Sequence, residues 1–526
     1  MKALHYSVDH LTIKNDLVFI YGWVFDEKLI IDSLFLVLKK EGALKKIPLQ
    51  YGNFRRDVKQ AFSRHGRSGC SGFIGLGSFH AEVSEQDNIF LEINYQNLTN
   101  KILLPIEFNN LRYQIMQSDR HKLLIGKFNY IYGYLKKNGF KIAIKKIYRK
   151  YSTKILSIQK KNVPKFCSEN LVLIVDHSLG GGANKYREKL EEDIRIDNGI
   201  VVVLSFSVND LAYILQFKSN SYENNIVIKD FQMVCKILRN YSFREVIYNN
   251  AVSIPRVNKL LKLLSELKTN GSKLTILIHD YYSICPSNFL LNNKGQYCGI
   301  PEVGHCNECL TINPNGFVTL GQDQEINKWR TSWGELLETA NQVVCFSEDS
   351  KFKMLQVYPN IKHLLKVIPH RHVNFAVDNC TPSNTSSFCI GVIGDISYHK
   401  GAKLIENLAH EIANQDLKIK IKIIGRLYSD YPAEIIEEYG QYELKKLPLI
   451  IEKSGANIFL FPSICPETFS YTVQEIMSLD LPLACFDIGA PPERVKNYHK
   501  GLVMDSMDPG DVLKSLICFY EKIYNA

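Results

Sequence analysis

The sequence predicts an α/β protein: two doubly wound parallel sheets, preceded by a β-rich module and a basic helical segment. Period-two apolar runs fill residues 1–110, Lys and Arg dominate residues 111–168, and strand patterns alternate with amphipathic helices from residue 169 onward. With 526 residues, of which 45% are hydrophobic and 22% charged, the chain is long enough to bury several cores.

The first module, residues 1–110, is predicted to be an antiparallel β-sandwich. Short runs such as LVFIYGWVF and NIFLEINY are rich in β-branched and aromatic residues and are separated by turn signals.

The next segment, residues 111–168, is predicted to be a basic helical linker. From Leu111 to Lys165 it carries fifteen Lys or Arg and one acidic residue. Such an excess indicates an anionic partner, and a solvated linker helix and a helix lying on an anionic membrane surface both remain open. No nucleic-acid-reading module accompanies it, so we expect no nucleic-acid partner.

Neither a signal peptide nor a membrane-spanning segment is predicted, because polar residues interrupt every long apolar run. We therefore expect a cytoplasmic protein that associates peripherally with the inner face of the membrane.

Two Rossmann-like domains are predicted at residues 169–375 and 376–526. In the first, LVLIVDH leads into SLGGGANKYREKL, and in the second, FCIGVIG leads into HKGAKLIENLAHEIA. Tandem units of this kind leave a ligand cleft at the carboxyl ends of their strands. The last helix is expected to pack back on the first unit.

The stretch PETFSYTVQEIMSLDLP carries two acids, Glu467 and Glu475. One interpretation is local, since Thr472 and Glu475 have the spacing of a capping box, with Thr472 as N-cap. The other is a ligand site, since the stretch directly follows the strand NIFLFPS and its backbone N–H groups would bind an anion at the sheet edge.

These residues resemble the E-x7-E signature of the large retaining glycosyltransferase family with the GT-B fold. The resemblance implies that the helix N-terminus holds the nucleotide diphosphate, that Glu475 holds the ribose and that Glu467 lies by the transferred sugar. It extends the donor site over four residues between them: Thr468, Phe469, Ser470 and Tyr471. Ser470 stands where that family usually has Gly.

A second motif, GVIGDISYHKG, contains Gly394 and Lys400. It looks like the family's Gly-Arg-x-x-x-x-Lys-Gly loop, in which both cations pair with the diphosphate. Asp395 occupies the Arg position, so Arg426 or Arg371 is expected to supply the missing charge.

Two features of the first Rossmann-like domain are expected to face the same cleft. Gly181 and Gly182 match no nucleotide fingerprint, but they permit close approach of a ligand to the backbone. His279 ends the strand KLTILIH; a lone His is more often structural, but the family carries at this place a His that touches the transferred sugar.

A cysteine-rich loop spans residues 285–310. The spacing of its four thiols suits either a structural zinc or reduced, unligated cysteines, and both interpretations remain open. The four are Cys285, Cys298, Cys306 and Cys309.

The cysteine-rich loop, the preceding HDYYSICP and the later VIPH together resemble a subgroup of bacterial GT-B transferases found near surface-polysaccharide loci. The stretches GWVFDEK and SGCSGF resemble a small β-sandwich module fused to such enzymes, which implies an accessory role.

The resemblance implies a glycosyltransferase, without a catalytic metal, that moves a sugar from a nucleotide-diphosphate donor to a growing polysaccharide or lipid-linked glycan. The alternatives are a non-catalytic GT-B-like sugar- or lipid-binding protein and a GT-B epimerase or phosphorylase.

Overall fold

The structure is a computed structural model that describes residues 3–84, 87–97, 101–106, 164, 170–314, 318–320, 325–370 and 387–524. Three sheets organise these residues, and the mixed α/β prediction is confirmed. Apart from residue 164, the predicted basic linker lies outside the described residues, as does Arg371. No helix in the described ranges is long and apolar enough to cross a membrane.

The first sheet has seven strands. The elements in chain order are β1 (Leu4–Lys14), β2 (Leu17–Asp26), β3 (Ile31–Lys40), β4 (Ala43–Asn53), α1 (Arg56–Ala61), β5 (Gly72–Ser78), β6 (Asn88–Tyr95) and β7 (Ile102–Pro105). The strands pair in the order β1-β2-β5-β4-β3-β6-β7. Ile20 from β2 and Leu91 from β6 share one buried core. A β-rich module is therefore present, but a sandwich of two separate sheets is not confirmed.

The second sheet has eight strands in the order β11-β10-β9-β8-β12-β13-β14-β15. Its elements are β8 (Leu171–Val175), α2 (Gly182–Ile196), β9 (Ile200–Ser207), β10 (Ala212–Lys218), β11 (Glu223–Ile228), α3 (Phe231–Leu238), β12 (Glu245–Tyr248), α4 (Val257–Thr269), β13 (Lys273–Leu277), α5 (Val303–Ile312), α6 (Ile326–Thr339), β14 (Gln342–Cys345), α7 (Glu348–Val357) and β15 (Leu365–Val367). All neighbours pair in parallel except β9-β10-β11, an antiparallel edge that the sequence did not predict. We call this part the first α/β unit.

The third sheet has six parallel strands in the order β18-β17-β16-β19-β20-β21. Its elements are β16 (Cys389–Ile396), α8 (Ala402–Asn414), β17 (Lys420–Leu427), β18 (Ile436–Glu438), α9 (Leu447–Ser454), β19 (Ile458–Phe461), α10 (Tyr471–Ser478), β20 (Leu483–Phe486), α11 (Pro491–Val495), β21 (Gly501–Met504) and α12 (Pro509–Tyr524). We call this part the second α/β unit.

The last helix, α12, packs differently from the prediction that it returns to the first unit. Its buried residues Val512, Leu516 and Phe519 join the core of the second unit. Its apolar face lies against α8, because that helix offers a matching buried face on the same side of the sheet.

The β module contacts the first α/β unit mainly through apolar side chains. Leu17, Phe19 and Leu76 belong to the same buried core as the first unit's sheet. Arg256, at the start of α4, pairs with Asp16 at 2.7 Å. The module is thus continuous with the first unit's core.

The β module contacts the second α/β unit through ion pairs. Arg56 pairs with Glu438 at 2.6 Å, and Lys59 of α1 pairs with Asp430. Asp430 follows β17, and Arg256 follows β12, so both attachment points lie in loops at carboxyl ends of strands. The module therefore bridges the two units on the side of the cleft.

Gly401 fixes the turn between β16 and α8. It has φ +86°, and a Cβ atom there would lie 2.0 Å from the carbonyl oxygen of Pro462. Only glycine fits both the left-handed backbone and this close approach, so the turn that carries Lys400 packs directly against the loop after β19.

We predict that Gly401→Ala lowers the free energy of unfolding by more than about 2 kcal/mol, because backbone strain and a steric clash combine. Gly455→Ala is the matched control: its φ is also positive, at +68°, but no neighbour lies within 4 Å of the added atom. It should cost about 1 kcal/mol from the backbone alone. Urea denaturation measures both losses, and equal losses would contradict the packing described.

Candidate functional site

The two α/β units meet at the carboxyl ends of their strands. The side chain of Thr468, in the loop before α10, donates a hydrogen bond to the backbone carbonyl of His279 at 3.0 Å. His279 follows β13 of the first unit. The structure therefore brings together one sequence-predicted residue from each side of the cleft.

The N-cap of α10 is Ser470, and the predicted capping box at Thr472 is wrong. The helix spans Tyr471–Ser478, and the Ser470 hydroxyl accepts a hydrogen bond from the Val473 N–H at 3.4 Å. Ser470 has φ +72°, the left-handed region that usually requires glycine. It keeps the backbone shape of a glycine while capping the helix, so Glu475 is not needed for the cap.

The backbone of Glu467 packs closely against the loop that contains Gly489 and Ala490. A Cβ atom on Gly489 would lie 2.6 Å from the Glu467 nitrogen, and the Ala490 N–H donates to the Glu467 carbonyl at 2.8 Å. Burial raises the pKa of the carboxyl group, while the charge of Lys400 acts most strongly in the opposite direction. An anionic Glu467 is therefore costly without its cation.

Glu475 lies on α10 in the same site, and this residue is only 4% exposed. Burial raises its pKa, and the charges of Lys185 and Lys400 lower it. Lys400 therefore acts on both glutamates, and the first unit adds the charge of Lys185, on α2, at Glu475.

Lys400 lies in a single turn of 3-10 helix, Tyr398–Lys400, just after β16. Its neighbour His399 stacks on Phe289 of the first unit with ring centroids 4.1 Å apart. Burial lowers the pKa of His399 to about 3, so this imidazole is neutral at pH 7. The lysine turn is thereby attached to the cysteine-rich loop across the cleft.

The other predicted residues of the lysine loop lie at the same sheet edge. In the adjacent parallel strands β16 and β17, Gly394 lies opposite Gly425 in the strand register, and Asp395 lies opposite the exposed Arg426. Gly394 has φ +119°. Arg426 therefore shares a sheet edge with the Lys400 turn, but the structure records no contact between it and either glutamate.

Sequence reasoning missed Arg494, on α11, which holds the loop before α10. Its guanidinium donates to the carbonyls of Phe469 and Ser470 and to the Gln474 side chain, and it lies 4.2 Å from the centre of the Phe469 ring. Burial lowers its pKa to about 10. Its charge also favours an anionic Glu467. The sequence signal was an Arg in the segment PPERV that follows β20, which is too common to single out.

His279 is a neutral imidazole with a defined tautomer. Its Nε2 lies 3.0 Å from the Asn249 side-chain oxygen, and the Asn249 amide nitrogen donates to Asp176 and to the Ala183 carbonyl. Since both of those partners only accept, the Asn249 oxygen faces the ring and Nε2 carries the proton. Burial holds the pKa of His279 well below its usual value.

The glycine loop of the first unit faces Tyr471. A Cβ atom on Gly182 would lie 3.4 Å from the Tyr471 ring, and Lys185 Nζ lies 5.9 Å from the centre of that ring. Gly180 has φ +88° and Gly181 has φ +92°, and a Cβ atom on either would have open space around it. The loop therefore leaves backbone accessible opposite the start of α10.

His370, noted in the sequence only as part of VIPH, lies between the two units and is 6% exposed. Its ring stacks on Phe469 with centroids 4.5 Å apart, and its Nδ1 lies 2.5 Å from the Tyr471 hydroxyl oxygen. Burial lowers its pKa to about 3, and the charge of Arg494 acts in the same direction.

The structure does not show the predicted zinc site. Within the described ranges, no group of three or more His, Cys, Asp or Glu is placed to hold a metal ion. Arg330 donates to the Cys306 sulfur at 3.8 Å, and Asn313 donates to the Cys309 sulfur at 3.4 Å. Burial raises the pKa of Cys285 and of Cys298, which favours protonated thiols.

One known family is similar to the second unit. Residues 378–522 match the family Glycosyl transferases group 1. The match covers the Lys400 turn, both glutamates and Arg494, and it supports a glycosyltransferase. No curated protein matches the chain.

Several solved structures are similar to parts of the chain at low identity. Sucrose-phosphate synthase from Thermosynechococcus elongatus is 13% identical. The match covers 66% of this chain and 89% of the synthase chain, with a TM-score of 0.46. Anabaena Alr3699/HepE in complex with UDP-glucose is 13% identical, with coverages of 67% and 90% and a TM-score of 0.43. The lipopolysaccharide outer core galactosyltransferase WaaB is 12% identical, with coverages of 67% and 91% and a TM-score of 0.41.

We predict that the buried His370 makes the protein less stable as the pH falls from 6.5 towards 3. The unfolded chain binds a proton near pH 6.5, whereas the folded imidazole binds it only near pH 3, so unfolding takes up a proton between these values. His370→Asn should remove up to about 1.4 kcal/mol per pH unit of this slope. Urea denaturation between pH 4 and pH 7 tests this, with the exposed His363→Gln as control. An unchanged slope in His370→Asn would show that the imidazole is protonated in the fold.

Proposed function

We propose that the protein is a glycosyltransferase that takes its sugar from a nucleoside-diphosphate donor. The main observation behind this proposal is that Glu467 and Glu475 are both buried near the start of α10. The charge of Lys400 acts on both acids, and Lys185 of the first unit adds positive charge at Glu475. The group 1 family match over the same residues supports it.

Each residue has a distinct role in the proposed complex. The diphosphate lies on the free backbone N–H groups at the start of α10 and pairs with Lys400, since a helix N-terminus and a cation both favour phosphate. Glu475 accepts hydrogen bonds from the ribose hydroxyls. Glu467 lies by the transferred sugar, and the neutral His279 faces that sugar from the first unit.

Thr468 and Phe469 position the donor loop rather than contact phosphate, through the bonds to His279 and Arg494. Gly181 and Gly182 leave room for the phosphates or for the acceptor opposite Tyr471. Arg426 is the proposed second cation at the sheet edge, in place of the arginine that Asp395 replaces.

The chemistry needs stabilisation of a leaving phosphate more than a strong base. The bond between the anomeric carbon and the β-phosphate oxygen breaks, and its electron pair leaves with the nucleoside diphosphate. The acceptor hydroxyl forms the new bond and gives up its proton to the departing phosphate. Lys400 and the α10 amides stabilise the charge that develops on that phosphate, so the proposed catalysis needs no metal. Retention of configuration belongs to the proposal because the motif of Glu467 and Glu475 resembles that of the retaining family.

The proposed acceptor is a growing polysaccharide or a lipid-linked glycan at the cytoplasmic face of the membrane. The excess of Lys and Arg at residues 111–165 supports this, because a basic segment of that density is attracted to anionic lipid. The β module has a proposed accessory role beside the cleft.

We predict that Glu475→Gln weakens binding of the donor nucleotide, because an amide replaces the charged acceptor of the ribose hydroxyls. Glu467→Gln should lower turnover by about 100-fold or more, because the positive charge that develops on the sugar loses a nearby anion. A panel of nucleotide sugars, screened first for thermal stabilisation, identifies the donor, and transfer is then measured with membrane extract as acceptor.

The exposed Glu434→Gln is the matched control and should behave like the wild type. Full transfer by both site variants would refute the assignment of the two acids. A wild-type protein that binds a donor but neither transfers nor hydrolyses it would favour the non-catalytic sugar-binding alternative.

Deletion of residues 111–165 tests the membrane proposal. The full chain should sediment with vesicles containing phosphatidylglycerol and not with pure phosphatidylcholine, and added salt should weaken this binding. The deletion variant should stay in the supernatant. Equal sedimentation of both proteins would exclude this segment as the membrane contact.

A further inference from the structure

His370 belongs to the end of the first unit but contacts the donor loop of the second. On the first unit's side its ring lies 4.1 Å from Phe346 and 4.8 Å from Tyr186, centroid to centroid. On the other side it stacks on Phe469 at an interplanar angle of 19°. The side chain is therefore a fixed bridge between the units.

Phe469 is also held by a residue of the second unit. The Arg494 guanidinium lies 4.2 Å from the ring centre and donates to the carbonyls of Phe469 and Ser470. An imidazole from the first unit and a guanidinium from the second thus fix the same aromatic ring. The backbone between Glu467 and α10 has little freedom to move.

The polar contact of His370 is aimed at the first residue of α10. Its Nδ1 meets the Tyr471 hydroxyl at 2.5 Å, and Tyr471 also lies against Gly182 of the first unit. Apolar packing alone would not require this hydrogen bond, and a phenylalanine would fill the same space. The bond fixes where α10 begins relative to the glycine loop.

We propose that His370 is a positioning residue: through Phe469 and Tyr471 it holds the donor-binding loop, residues 467–471, against the first unit. This inference rests on the proposed function, because it assigns the loop to a nucleoside-diphosphate donor. His370 itself touches no donor atom; it places the α10 amides and Glu475.

The uncharged state of His370 suits this role. A protonated ring would be repelled by Arg494, and the burial that lowers its pKa to about 3 keeps it neutral at pH 7. Small displacements of a positioned group are expensive, and a shift of about 1 Å is enough to lower activity by about 100-fold.

Two substitutions separate the two contacts. His370→Phe keeps the stacking on Phe469 and removes the hydrogen bond, whereas His370→Asn places an amide near the Nδ1 position and removes the ring. Calorimetric titration with UDP, ADP and GDP measures binding, and the tightest of the three serves as probe. We expect about 10- to 100-fold weaker binding in His370→Ala, with each of the other two variants intermediate. His363→Gln should bind like the wild type.

A double-mutant cycle tests the link to Tyr471. Tyr471→Phe should weaken binding as much as His370→Phe, and the double variant should lose no more than either alone, since both remove one bond. Circular dichroism and thermal unfolding establish that each variant is folded. If His370→Ala does not fold, the Phe and Asn variants and this cycle decide the question.

The outcomes distinguish the two proposals. If the His370 variants bind within about twofold of the wild type while Glu475→Gln loses binding, the positioning role is wrong and the donor site stands. If Glu475→Gln also binds normally, or the wild type binds none of the three nucleotides, the proposed donor site fails and the positioning role fails with it.

Discussion

The burial of two carboxylates beside one lysine, where two α/β units meet, is the constraint on which the rest of the site depends. Removing Glu467 and Glu475 from water raises the pKa of each, and nearby positive charge favours their anionic forms, with hydrogen bonds from Ser463 and Ser470 adding to this effect at Glu467. Lys400 supplies that charge from the second unit and Lys185 adds to it from the first. Neither unit alone forms the complete site.

Two uncharged histidine side chains hold the two units together around this centre. His370 and His399 each bridge the units by stacking on an aromatic ring, and burial lowers the pKa of both to about 3. Neutral imidazoles can lie beside Arg494 or Lys400 without repulsion and still offer a hydrogen bond. These two histidines therefore add no positive charge of their own beside the two glutamates.

The sequence predicted the residues at strand ends and missed those that act through tertiary contact. Glu467, Glu475 and Lys400 were predicted because their motifs resemble those of the retaining GT-B family and follow strands whose carboxyl ends meet at one sheet edge. The N-cap was placed at Thr472 because local spacing cannot show that Ser470 adopts a positive φ. Arg494 belongs to no motif that the sequence singled out, and His370 was noted only as part of VIPH, without a role. Their roles arise from stacking on Phe469, which becomes visible only when the two units are packed together.

A crystal structure of the protein with its nucleoside-diphosphate sugar would show directly where the donor binds. We expect the ribose hydroxyls within hydrogen-bond distance of Glu475, the diphosphate on the first amides of α10 and on Lys400, and the sugar between Glu467 and His279. A donor bound elsewhere, or bound in the cleft with its phosphates turned away from Lys400 and α10, would contradict this expectation.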